Sequence, residues 1–219
     1  MPYFKNKDVN ILFIHIPKTG GTSLELYFSS KFNIPLNNKS LYLFIEDELL
    51  LNEQLKINSS LQHITYNQIV EYSNIFNINF DNINIITIVR NPYERIISDL
   101  FFFKLMTIDN TCEEVFDIIH KYLYEHYDNH TIPQYKFIIN EKGEIIQNIH
   151  ILKTESLNND MFNLGYHDFD IFSNANNNKL NYYNYLNNES IDIINDVYHL
   201  DFILFNYNKI FYGYPLQYH

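Results

Sequence analysis

Residues 10–24 read NILFIHIPKTGGTSL. The run from Asn10 to Ile16 is short, β-branched and nearly continuous in apolar character, the pattern of a strand covered on both faces. Pro17 stops it. A glycine-rich turn follows from Lys18 to Ser23, and Leu24, Tyr27 and Phe28 then recur at helical spacing with no breaker before Pro35. A loop of this kind between a strand and a helix is a phosphate cradle. Gly20 and Gly21 let backbone N–H groups converge on an anion, the helix adds its positive N-terminal end, and Lys18, Thr19, Thr22 and Ser23 add donors. It differs from the nucleotide-triphosphate loop, in which the lysine follows the last glycine and directly precedes Ser/Thr; here Lys18 comes before both glycines. The plainer alternative is a tight turn whose lysine is merely solvated.

A second unit of the same kind lies at residues 84–98, NIITIVRNPYERIIS. Asn84 to Val89 reads as a buried strand. Asn91 as N-cap, Pro92 at the first helical position and Glu94 three residues after the cap predict a capping box and a helix from about Pro92 to Met106. Arg90 then emerges at the carboxyl end of its strand, where open α/β sheets bind ligands, and Ser98 lies on the next helix. A guanidinium fork and a hydroxyl can converge there on a second phosphate. Taken alone, Arg90 also reads as an ion-pair partner of Glu94. Thr111 with Glu114 repeats the capping signal ahead of a helix whose apolar face is Val115, Ile118, Ile119, Tyr122 and Leu123. Residues 134–140 and 145–152 read as strands around a turn at Glu141 to Gly143, and Ser190 to about Leu200 as a last helix. The fold class that follows is α/β: a central, mostly parallel sheet flanked by helices, in one domain over residues 1–219.

Composition bounds the function. With 219 residues, 46% of them hydrophobic and 17% aromatic, the chain can bury one substantial core and is not disordered. A formal net charge of −11 argues against nucleic acid or anionic membrane as partners, so an anionic ligand needs a local positive pocket. The single cysteine, Cys112, allows no internal disulfide, and no Cys/His spacing resembles a metal site, so no metal is expected. No apolar run approaches the roughly 20 residues that cross a bilayer, and no signal peptide is visible, which points to a cytoplasmic location. Asparagine-rich residues 174–178 read as an exposed loop, and the four Asn-x-Ser/Thr triplets in so asparagine-rich a chain carry no weight as glycosylation sites.

The stretches at residues 15–23 and 90–98 together resemble the two co-substrate motifs of the sulfotransferases that use 3′-phosphoadenosine 5′-phosphosulfate (PAPS), closest to the branch acting on carbohydrates and heparan-type chains. Weaker similarity continues through His63 to Thr65, Pro133-Gln134, Lys153 to Leu157, Tyr198 to Phe202 and Asn206-Tyr207. The resemblance implies a P-loop-kinase-like sulfotransferase fold. It also implies that Lys18, Thr19, Gly20, Gly21, Thr22 and Ser23 hold the 5′-phosphosulfate, that Arg90 and Ser98 hold the 3′-phosphate, and that adenosine 3′,5′-bisphosphate is the product. The acceptor it implies is a small molecule or glycan hydroxyl.

Sulfuryl transfer builds charge on the bridging oxygen as the anhydride breaks, and Lys18 is the cation placed to meet it. The acceptor hydroxyl needs a base. His63, just before a short helix capped by Thr65, is one candidate, and Glu25 on the first helix is the other; a capping or surface role for His63 stays open. His15 reads as a hydrogen-bonded core residue, and His130 as an exposed loop residue with no special role, the alternative being that it faces the acceptor. Phe101, Phe102 and Phe103 read as core, with lining of the acceptor cleft as the alternative, Glu46 to Glu48 as a solvated helix face, and Arg95 as support for the nucleotide site or a partner of nearby carboxylates. Two other functions remain open at this point: a nucleotide or small-molecule kinase, and a binding protein that keeps the cradle without turnover.

Overall fold

The computed structural model describes residues 2–57, 59–125, 128–170 and 180–211; the loop expected at residues 174–178 lies outside them. Four strands, β1 (Tyr3–Lys5), β2 (Asn10–Ile14), β3 (Asn84–Val89) and β4 (Ile149–Lys153), form one sheet in the order β1-β2-β3-β4. β2, β3 and β4 are parallel, with Ile14 opposite Thr87 and Val89 opposite Lys153. β1 is an antiparallel edge strand that the sequence reading missed, three residues being too few to show an alternation.

The apolar runs are unbroken because both sheet faces are covered. On one face Ile11 and Phe13 of β2 and Ile86 and Ile88 of β3 pack with Leu24 and Phe28 of α1 (Gly21–Phe32) and with Leu157 and Met161 of α6 (Leu157–Asn163). On the other, Leu12, Ile14, Ile85 and Val89 pack beneath α2 (Ile45–Leu55) and α3 (Tyr66–Glu71), with Leu55, Leu61, Ile69 and Phe137 filling the space. A third cluster joins α4 (Pro92–Phe102), α5 (Cys112–Glu125), α7 (Asn188–Val197) and α8 (His199–Leu204) through Tyr93, Ile97, Leu100, Val115, Ile119, Ile194 and Phe202.

Several local expectations change. Residues 134–137 form a 3-10 turn, because buried Asp201 of α8 accepts from the backbone N–H groups of Gln134 (2.8 Å) and Tyr135 (2.9 Å) and takes that segment out of any ladder. Only an isolated bridge between Ile139 and Ile145 survives of the expected hairpin, and β4 instead continues the parallel sheet. α4 stops at Phe102, four residues early, where Lys104 takes a left-handed φ of 56° and the Leu105 amide returns to the Leu100 carbonyl. The last helix breaks at Tyr198, whose hydroxyl is tied to the Thr131 carbonyl at 3.0 Å. Thr111 and Glu114 form the expected capping box. Asn91 caps the Tyr93 amide at 3.0 Å, but the Asn91 amide goes to Glu155 and the Glu94 carboxylate to Arg90, so the expected second half of that box is absent.

Candidate active site

Since β2 and β3 run parallel, the loop after β2 and the turn after β3 leave the same edge of the sheet. Between them opens a cavity of about 410 Å³. From the first loop it is lined by Lys18, Gly20, Gly21 and Thr22, and from the second unit by Arg90, Ser98 and Phe102. The two donor clusters are in contact: Arg90 Nη1 lies 3.3 Å from the Lys18 carbonyl oxygen.

Backbone geometry shapes the loop. Lys18 (φ 63°) and Gly20 (φ 86°) are left-handed, and α1 begins at Gly21, so its N-terminal end stands at the cavity wall through Gly21 and Thr22. A Cβ on Gly21 would lie 2.3 Å from His15 Nε2, so no side chain fits there. Thr19 does not present its hydroxyl; that group is buried and donates to the Ile16 carbonyl (2.9 Å), closing the turn. The Ser23 amide is occupied by the Gly20 carbonyl at 3.2 Å, and Ser23 is not part of the cavity wall. Thr154 fastens the loop to the sheet by donating to the Thr19 carbonyl (2.7 Å) and lying 3.2 Å from that of Val89.

Arg90 is held from several sides. Gln134 accepts from its amide (2.9 Å) and donates to its carbonyl (2.8 Å), Glu94 pairs with Nη2 at 3.0 Å, and the guanidinium lies 5.4 Å from the Tyr182 ring centroid. Its Nε is buried and has no partner, an orphaned donor that an anion would satisfy. Among the described residues Arg95 bridges no carboxylate. Buried on α4, it donates to the carbonyls of Pro17 (3.1 Å), Ile132 (3.1 Å) and His130 (2.7 Å), joining the loop after β2 to the segment carrying His130.

The Lys18 ammonium sits 4.0 Å from the centroid of the Phe102 ring. Burial pulls its pKa below the usual lysine value, the Asp99 charge opposes this and Arg90 adds to it. The Phe stripe divides: Phe101 packs against Tyr182 and Tyr185, while Phe102, 58% exposed, belongs to the cavity.

Three imidazoles border the same space, those of His15, His63 and His130. His63, 9% exposed, donates from Nδ1 to the His15 carbonyl (2.8 Å), and burial, reinforced by His15, holds its pKa well below the ordinary histidine value. The turn that carries it is fixed by Glu48, which accepts from the Leu61 amide at 2.6 Å; this acidic side chain on α2 is therefore not simply solvated. Glu25 is 1% exposed and ends on His15 Nδ1 at 2.5 Å, so its carboxylate meets the cavity only through that imidazole. His15, read from the sequence as core, is both buried and part of the wall. His130 gives its Nδ1 to buried Asp99 at 2.9 Å, and Asp99 also accepts from the Tyr122 hydroxyl at 2.6 Å. Sequence reasoning missed Asp99. The signal was present: Arg95 and Asp99 recur at i and i+4 beside Ser98, a polar strip on a helix otherwise rich in buried apolar residues. Among the described residues no group of His, Cys, Asp and Glu is arranged to hold a metal ion.

A glycine turn, a lysine and an arginine thus stand around one cavity at the carboxyl ends of two parallel strands of an α/β fold. The sequence profile of the sulfotransferase family matches residues 1–208, and the chain belongs to that family. No curated protein and no solved structure shows a significant match. Among the described residues no helix is long and apolar enough to cross a membrane.

Proposed function

We propose that the protein transfers the sulfuryl group of 3′-phosphoadenosine 5′-phosphosulfate to an acceptor hydroxyl, with a carbohydrate as the acceptor class. The observation that carries this reading is the convergence of Lys18, Gly20, Gly21 and Thr22 with Arg90 and Ser98 on one cavity, two clusters for two phosphate groups on one carrier. The orphaned Nε of Arg90 supports it, since a 3′-phosphate would supply the missing acceptor. In this reading the first turn of α1 and Thr22 hold the 5′ end, while Lys18 leaves the face of Phe102 to meet charge on the bridging oxygen. Thr19 and Ser23 contribute by closing and continuing the turn. Glu25 holds the His15 imidazole, and His63 borders the acceptor's place. The wall of imidazoles suits an acceptor that must lose a proton, and the order of lysine and glycines separates the loop from a kinase triphosphate cradle.

Thermal unfolding with added ligand tests the donor. Adenosine 3′,5′-bisphosphate at a hundred times its dissociation constant stabilises the fold by about 2.7 kcal/mol, whereas ATP with magnesium leaves the transition where it was. Transfer of labelled sulfate from PAPS to a panel of sugars then identifies the acceptor; bisphosphate binding without transfer to any acceptor would mark a binding protein instead.

A further inference from the structure

The sulfotransferase reading leaves open which of the three imidazoles accepts the acceptor's proton. We propose that His130, positioned by Asp99, is the catalytic base, and that His63 orients the acceptor hydroxyl. This inference rests on the sulfotransferase reading and adds a residue to it.

His130 is gripped on every side. Asp99 takes its Nδ1–H at 2.9 Å, which fixes the tautomer and leaves Nε2 as the nitrogen with the lone pair. Its ring lies 9° from parallel with Phe102 at 6.1 Å and packs against Phe103 at 4.9 Å, contacts that support the orientation set by Asp99. Its carbonyl is held by Arg95 at 2.7 Å, the same guanidinium that holds the Pro17 carbonyl next to Lys18. Base and loop lysine are therefore referred to one rigid anchor on α4.

A buried carboxylate behind an imidazole is what an imidazolium needs when it forms. His63 lacks one: its Nδ1 faces a carbonyl, its neighbours are the rings of His15 (4.6 Å) and His130 (5.1 Å), and burial opposes its charging. His15 has Glu25, but its Nε2 is covered by the backbone of Gly21. Among the described residues, the ionisable groups around His130 include Asp99 and, through its carbonyl, Arg95 from α4, Tyr122 from α5, His63 from the turn before α3, and Asp128 in its own loop. Lys18 shares the Phe102 ring with it.

The step balances as follows. The acceptor oxygen forms a bond to sulfur while its proton moves to His130 Nε2. The bond from sulfur to the bridging oxygen breaks, and its electron pair stays on the departing adenosine 3′,5′-bisphosphate next to the Lys18 ammonium. The proton leaves His130 for solvent after the products go.

The test compares His130→Asn, His130→Ala, Asp99→Asn and His63→Gln in labelled-sulfate transfer across pH, with bisphosphate affinity measured in parallel. His130→Asn keeps an N–H donor for Asp99 and removes the base, so it separates catalysis from structural support. The expected result is a kcat lower by about 10²- to 10⁴-fold in both His130 variants with bisphosphate affinity within about threefold of wild type. The acidic limb of the kcat profile is lost in those variants, and added imidazole partly restores turnover to His130→Ala. Asp99→Asn lowers kcat in the same direction. In His63→Gln the acidic limb persists and the acceptor KM rises. Wild-type turnover in His130→Asn, or loss of the limb in His63→Gln alone, overturns the assignment. A wild-type protein that binds no bisphosphate overturns the underlying sulfotransferase reading, and the assignment with it.

Discussion

Gly21 shows how much one position can be asked to do. It is the first residue of α1, it borders the cavity, and it rests on an imidazole that cannot yield, since His15 is clamped by buried Glu25 at 2.5 Å. Gly21→Ala places a methyl 2.3 Å from His15 Nε2, so the loop must move or the His15–Glu25 contact must break. The expected outcome is a loss of roughly 1–3 kcal/mol in urea unfolding, as for other overpacked cores, together with weaker bisphosphate binding; a variant with unchanged midpoint and affinity would show that the contact is slack. Lys18 is the opposite case, a residue whose neighbours are arranged for it to move. Its ammonium rests on Phe102, a contact that costs little to break at so exposed a ring, and burial disfavours its charge until an anion arrives. Lys18→Ala is expected to lower kcat by about 10²- to 10³-fold in single-turnover transfer while the protein remains folded; near-normal turnover would refute its role at the leaving oxygen.

At the scale of elements, α4 organises the site, and most of it was legible. Both strand-to-helix units could be read because β2 and β3 are buried on two faces and so are written as plain apolar runs, and because each is followed at once by a turn rich in Gly, Asn or Pro. What escaped were features whose cause lies far away in the chain. The 3-10 turn at residues 134–137 depends on Asp201, and the break at Tyr198 on the Thr131 carbonyl, neither of which leaves a local trace. Likewise the cap at Asn91 took Glu155 as partner in place of Glu94, because Arg90 claimed the latter. Arg95 is the strongest of these long-range ties. It satisfies three carbonyls in two segments, and Arg95→Met leaves all three without that donor in a buried setting. The expected cost is at least about 3 kcal/mol, read as a lower urea midpoint, with weaker bisphosphate binding from the same loosening; an unmoved midpoint would mean that water replaces the guanidinium without penalty.

For the whole molecule, buried His63 couples the site to global stability, and the coupling has a definite sign. His63 is held neutral by burial, its folded pKa lying well below the 6.5 of an unperturbed histidine. As pH falls through that value the unfolded chain takes up a proton that the folded one refuses. Stability is therefore full above about pH 6.5 and declines below it, by up to about 1.4 kcal/mol per pH unit for one proton. Glu25 works in a separate window. Burial pushes its pKa up, but the hydrogen bond and charge of His15 outweigh burial and leave it below its ordinary 4.5, so its contribution is present above that value and is lost as pH falls further through the folded pKa. Both groups touch His15, yet they report at different pH. Chemical denaturation of the wild type between pH 7 and pH 5 should thus show falling stability, and His63→Gln, which retains a donor for the His15 carbonyl, should flatten that region while the steeper loss below about pH 4.5 remains. An equal slope in both proteins between pH 6.5 and pH 5 would mean that His63 charges as readily folded as unfolded, and that water reaches an imidazole only 9% exposed.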